Sequence, residues 1–362
     1  MKDYQKIHII SKTFTVCITI WILFVLASCE SKERFYRPNL PEKLSSIGII
    51  DIDDTTNYDS IYNPFAVRTS ARFISFEKSY QSEYPEELND SLRKFSFSIS
   101  SSVTELLNYK SDSTIKNLLG FDIPPGIEFH PGEKYFLSAS EATTPEIYAE
   151  CTVPEYPSEP ILISFVQEKT TLAKPTPCWG LTSAKSVVID FTFENVSSSE
   201  CFYAILLEGY GTNLSSSIFS TGKALLEFTV RDCNSPGFFA ELSGFKMGQW
   251  TCQVPSARMI KVPVYAYFIE GSKIPENKCA IKISTQFDDE RSLFEFIKNL
   301  QVRLLSIPKD LFTFEKSLYS YRQNSKDPFS EPVNLNGNIQ GGTGVFAICR
   351  SRVLQVKFTH WY

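Results

Sequence analysis

Histidine is almost missing from this chain: three occur in 362 residues, at positions 8, 130 and 360. That scarcity removes the side chain most often used as a general base near neutral pH. No Gly-x-Ser-x-Gly, His-Glu-x-x-His or P-loop stretch occurs, so the familiar nucleophile elbow, zinc-protease helix and phosphate cradle have no counterpart. No Cys-x-x-Cys pair occurs, which argues against zinc ribbons and thioredoxin-like redox chemistry. There is no basic run either. With 36 Lys and Arg against 41 Asp and Glu, the net charge of −5 offers nothing to nucleic acid or to anionic lipid headgroups. Finally, no apolar stretch is long enough to cross a bilayer. The run from Phe14 to Leu26 covers 13 residues, well short of the ~20 that a hydrocarbon core of roughly 30 Å demands.

Aromatic and strand-forming residues are plentiful. Phenylalanine occurs 29 times and tyrosine 17 times, and 43% of the chain is hydrophobic, so a sizeable core can be buried. Period-two alternation marks several strands: Phe95, Phe97 and Ile99 against Ser96, Ser98 and Ser100, and Val187, Ile189, Phe191 and Phe193 against their polar or outward neighbours. Ser45–Ile52, Ala71–Ser79, Tyr135–Ala142, Leu226–Val230, Val262–Phe268 and Ala280–Phe287 read similarly, with Pro263 placing its strand at an edge. A short helix is expected around Val103–Tyr109. Late in the chain, Pro308 opens a helix whose Leu311, Phe314, Leu318 and Tyr321 share one face. Residues 290–300 read as a second, shorter helix, with Asp288-Asp289-Glu290 at its N-terminus. Pro154, Pro157 and Pro160 punctuate the chain and set a domain boundary. The expected organisation is mainly β: a β-sandwich over 37–154 and a β-rich domain over 161–362 carrying one or two short helices.

The N-terminus carries an address. Lys2, Lys6 and Lys12 precede the apolar run, which ends in Leu26-Ala27-Ser28-Cys29. A basic start, a short apolar middle and small residues at the end define a signal peptide over residues 1–28 rather than an anchor helix. Leu-Ala-Ser-Cys resembles the bacterial lipobox, which implies cleavage before Cys29 and lipid on its sulfur and amine. Residues 29–36 then form a polar tether, and loss of the leader's three lysines and one aspartate shifts the net charge from −5 to −7. Cys151, Cys178, Cys201, Cys233, Cys252, Cys279 and Cys349 remain, an odd set in which at least one thiol stays unpaired. Between zero and three bridges are compatible with the spacing, Cys233 with Cys252 being the nearest hairpin-sized pair.

Candidate chemistry is sparse. The stretch Gly337–Gly344 precedes a strand and lacks the Gly-Lys-Ser/Thr ending of a phosphate loop, so it reads as a tight loop that brings backbones close. Asp51, Asp53, Asp54 and Asp59 resemble half a calcium loop. Thr56 and Tyr62 stand where its glycine and bidentate glutamate belong, so solvated loop carboxylates are the default. Trp179 and Trp250, both in expected loops, are the candidate stacking platforms for a planar or sugar ligand. No catalytic residue, metal or cofactor is assigned.

Three blocks are similar to one family. They are Arg72–Tyr80 continued through Tyr84–Leu88, Gly132–Leu137 leading into Ala149–Pro154, and Asn338–Phe346 preceded by Pro328-Phe329 and the Tyr319–Tyr321 helix. Together they resemble the Bacteroidota lipoproteins of domain-of-unknown-function family 4249, of which this chain looks like a divergent branch. The resemblance implies an immunoglobulin-like first domain, an outer-membrane location through lipid on Cys29, and a TonB-dependent receptor as neighbour. The function expected is non-enzymatic: capture of a nutrient for such a transporter. A structural or adhesive envelope module, and a hydrolase with an unfamiliar site, are the alternatives.

Overall fold

A computed structural model describes residues 43–53, 72–79, 91–92, 94–112, 115–116, 119–124, 126–171, 183–195, 200–211, 223–226, 228–251, 258–288, 297–324 and 333–357. Nineteen strands and one α-helix lie among them. The first nine strands are β1 (Lys43–Asp51), β2 (Arg72–Ser79), β3 (Ser91–Leu92), β4 (Ser96–Ser101), β5 (Glu105–Lys110), β6 (Ile115–Lys116), β7 (Leu119–Asp122), β8 (Lys134–Glu141) and β9 (Thr144–Thr152). After the proline segment come β10 (Ile161–Thr171), β11 (Ser183–Glu194), β12 (Phe202–Gly211), β13 (Lys223–Leu226), β14 (Thr229–Cys233), β15 (Gly237–Thr251), β16 (Arg258–Glu270) and β17 (Lys278–Asp288). The chain closes with β18 (Ile297–Ile307), helix α1 (Lys309–Asn324) and β19 (Thr343–Lys357).

Nine strands form one large sheet in the order β15-β16-β12-β18-β19-β1-β2-β7, with β13 also on β12. Two four-stranded sheets, β5-β4-β8-β9 and β10-β11-β17-β14, stand apart from it, and β3 pairs with β6. Alternation decides which residues face which layer. On one face of the large sheet, Leu44, Ile50, Phe346 and Ile348 pack against Phe97, Tyr135, Leu137 and Ile147 of the β5-β4-β8-β9 sheet. On the same face, Ile205, Leu207, Val302, Leu304 and Val356 pack against Ile189, Phe191, Ile281 and Ile283 of the β10-β11-β17-β14 sheet. The opposite face presents Ile49, Leu206, Leu305, Ala347 and Cys349 to Leu311, Phe312 and Phe314 of α1. The result is mainly β and sandwich-like, with a single helix on one face. The large sheet takes strands from both sides of Pro154–Pro160, because β1 pairs with β19 as well as with β2.

Strand β19 explains its own sequence. Residues 344–351 are all buried, as expected of a central strand covered on both faces. Gly344 (φ +114°) and Gly341 (φ +80°) adopt backbone that other residues resist. A Cβ on Gly344 would lie 1.9 Å from the Ser46 carbonyl oxygen, and one on Gly342 would lie 2.1 Å from that of Leu44. The glycine loop is therefore the close backbone approach that its sequence implied, tied down by Gln340–Tyr148 backbone bonds and by Asn338, which donates to Glu150 O and Phe346 O.

Four sequence expectations need correction. Val103–Tyr109 is not helical: Ser101 Oγ accepts from the Val103 and Thr104 amides to cap a hairpin turn, and β5 pairs with β4. Tertiary pairing overrides local propensity there. Within the expected helix over 290–300, residues 297–300 begin strand β18, and Asp288 ends β17; residues 289–296 lie outside the described set. Leu226–Val230 is not one strand, because the chain changes sheets: β13 joins β12, whereas β14 joins β17, with Phe228 buried between the layers. In α1, Tyr321 is 48% exposed, and the buried stripe runs instead through Leu311, Phe312, Phe314 and Glu315. The edge position read from Pro263 holds only locally: β16 is an inner strand between β15 and β12, but Pro263 pairs with Lys246 of β15 while β12 engages β16 only opposite Tyr267–Glu270.

Candidate functional site

The most concentrated chemistry lies where β19 passes from one small sheet to the other. Phe346 and Ile348 serve the first core, Leu354 and Val356 the second, and the same-face positions between them are Arg350 and Arg352. The segment Pro154–Pro160 crosses this gap and contributes Tyr156. Both guanidiniums lie over its ring, Arg350 at 4.3 Å and Arg352 at 4.5 Å from the centroid. Arg350 Nη1 donates to the Tyr156 hydroxyl at 2.7 Å and to Asp53 Oδ1 at 3.2 Å, and Nη2 donates to the Phe129 carbonyl at 3.3 Å. The Tyr156 hydroxyl in turn donates to Asp53 Oδ1 at 3.0 Å. Burial, followed by this bond to a carboxylate, raises the Tyr156 hydroxyl pKa above its ordinary value.

A second cluster occupies the helix-side face of the same strands. Arg303 of β18 donates to Asp51 Oδ2 (2.9 Å), to Ser351 Oγ (3.0 Å) and through two nitrogens to Glu208 (2.9 and 3.2 Å). Asp51, Glu208 and Arg303 are all buried. The fork of the guanidinium suits the two-nitrogen contact with Glu208. Asp53 links the clusters: its carboxylate accepts from the Ser351 amide at 2.8 Å, and its own amide donates to Asp51 Oδ1 at 3.1 Å. Chemically, this arrangement ties β12, β18, β19 and the end of β1 together across the sheet. Its carboxylates face guanidinium and hydroxyl donors. The expectation of solvated loop carboxylates thus fails for Asp51, which is 1% exposed, and Asp53 is only half-buried. Asp54 and Asp59 lie outside the described residues.

None of the other sequence-selected residues that the structure describes joins these clusters. Cys29 and Trp179 lie outside the described set. Trp250 is in strand β15 opposite Met259, not in a loop. His130 sits exposed in its turn, where Gly132 takes φ +76°. Among the described residues no group of three or more His, Cys, Asp or Glu side chains is placed to hold a metal ion. Cys151, Cys201, Cys233, Cys279 and Cys349 are thiols; Cys252, the hairpin-sized neighbour of Cys233 in sequence, is outside the described set. Sequence reading missed Tyr156, Glu208, Arg303 and Arg350. The available signal was a charge inside an otherwise apolar strand, as in Leu300-Gln301-Val302-Arg303-Leu304-Leu305.

One further surface stands out. Strand β10 lies at the edge of its sheet, and its first residues present Ile161 (58% exposed), Ile163 (58%) and Val166 (46%). An edge strand with unpaired backbone groups and several exposed apolar side chains is the kind of surface on which another chain can pair.

Among the described residues, layered sheets braced by one helix and pinned by arginine–carboxylate clusters define a mainly β, sandwich-like protein. The chain belongs to the family described as Domain of unknown function (DUF4249), whose model matches residues 49–354 and so spans both arginine clusters. No curated protein matches it.

Proposed function

We propose that this chain is a lipid-anchored outer-membrane protein that captures a ligand for, or acts beside, a TonB-dependent transporter, without transforming that ligand. The observation that carries the reading is Leu26-Ala27-Ser28-Cys29 at the end of a short apolar run. It supplies an attachment chemistry that needs neither a spanning helix nor a basic surface. Arg303 and Arg350 are engaged in holding strands together, so ligand contact is assigned to the surface rather than to these groups. The exposed β10 edge offers the contact surface.

Cys29→Ala tests the anchor. The wild-type chain is expected to take up labelled fatty acid and sediment with outer membranes, and the variant to do neither. A variant that still sediments with membranes overturns the reading. For the transporter partnership, a tagged wild-type chain is expected to co-purify a TonB-dependent receptor after mild crosslinking. Ile163→Lys with Val166→Glu on β10 is expected to cut that recovery several-fold while leaving membrane attachment intact.

A further inference from the structure

Cys233 and Cys279 sit at one end of the β10-β11-β17-β14 sheet, on its outermost strand and on the neighbour that holds it. Register places Cys233 opposite Ile281, so Cys279 lies on the diagonal, two residues further along β17. The two strands remain in contact there: the Asn234 amide donates to Ala280 O at 3.1 Å, and the Ala280 amide donates to Asn234 Oδ1 at 2.9 Å. The thiols hydrogen-bond to one another, and the Tyr267 hydroxyl from β16 bonds to Cys233. Cys279 is fully buried in the core, whereas Cys233 is half-buried and reachable from solvent. One sulfur is thus open to a reagent and the other is already against it.

We propose that Cys233 and Cys279 are a disulfide-forming pair, closed by exchange with an oxidised dithiol protein or a small-molecule disulfide. The Cys233 thiol loses its proton to solvent, and its sulfur attacks one sulfur of the incoming disulfide, expelling the other as thiolate. Cys279 then attacks the Cys233 sulfur of this mixed disulfide, and its proton passes to the second departing thiolate. Two thiols are oxidised and one external disulfide is reduced to two thiols, so atoms and electrons balance. The order of attack follows from access: an incoming disulfide reaches the half-buried Cys233, whereas Cys279 is buried and meets only Cys233. The bond from Cys279 also draws the Cys233 thiol pKa down, which favours its thiolate. Closure would staple β14, a five-residue strand with an irregularity between Val230 and Asp232, to the central β17.

The sequence makes the test direct. Trypsin releases Asp232–Lys246 and Cys279–Lys282, each carrying a single cysteine. The full chain is incubated with oxidised glutathione, its free thiols are alkylated, and it is digested without reductant. The expected result is one species with the summed mass of the two peptides, lost on reduction and absent from Cys233→Ser. Recovery of both peptides as separately alkylated species overturns the proposal. So does linkage of Cys233 to Cys178 or Cys252. Cys279→Ser gives the second readout: Cys233 should then accumulate as a glutathione mixed disulfide, and a Cys233 that stays unmodified also overturns it.

Discussion

Replacing Arg303 by methionine would leave Asp51 and Glu208 buried with their guanidinium gone. Removing one partner of a buried charge cluster costs roughly 3–5 kcal/mol, chiefly because the remaining charges cannot recover their hydration. Arg303→Met is therefore expected to lower the urea midpoint by that stability, without changing the slope of the transition. Glycine provides a contrast at the same scale. Gly344→Ala puts a Cβ against Ser46 O at a φ of +114°, whereas Gly126 has nothing within 4 Å of its Cβ position. Gly344→Ala should cost more than the ~1–3 kcal/mol of backbone strain alone, and Gly126→Ala should move the same unfolding curve by about 0.5 kcal/mol or less. Neither Arg303 nor Tyr156 was legible as a site in the sequence. Their partners lie far along the chain, Asp51 for Arg303 and Arg350 for Tyr156, and no local spacing encodes such an approach.

Among elements, the strands were legible wherever one face is buried and the other wet. Phe95-Ser96-Phe97-Ser98-Ile99 is such a case, since its serines pair with those of β8: Ser96 with Ser140 and Ser98 with Ser138. Strands covered on both faces were harder to delimit. β19 buries eight consecutive residues, so no alternation marks where it runs, and the sequence suggests a strand only over Val345–Cys349, after the glycine loop. The strand expected over Leu226–Val230 broke because alternation reports which face is buried, not which sheet does the burying. Helix α1 was readable from Pro308 and its apolar spacing. Its exposed Tyr321 shows the limit: an aromatic at helical spacing still lies beyond the end of the face that the sheet covers.

For the whole molecule, the tyrosine hydroxyls give a pH signature. Tyr135, Tyr156, Tyr203 and Tyr267 all have pKa values raised above the ordinary 10.0, burial being the largest cause in each, with Tyr267 at about 12. A folded pKa above the unfolded value contributes stability that is complete below pH 10 and is lost as pH climbs through the folded value. Stability should therefore hold up to about pH 10 and decline above it. Absorbance at 295 nm should show these four ionising at higher pH in the folded chain than in the chain unfolded by urea.

The parallel pairing of β1 with β19 has a consequence in time. Ser45 aligns with Thr343, so the middle of the large sheet joins the first described strand to the last. At ~5–20 residues per second, a ribosome needs roughly 15–60 s to travel between those two residues. During that interval β1 has β2 but not its other neighbour, and the central layer cannot close. The order of synthesis therefore makes β19 the strand that completes the large sheet, whichever of the smaller sheets forms first.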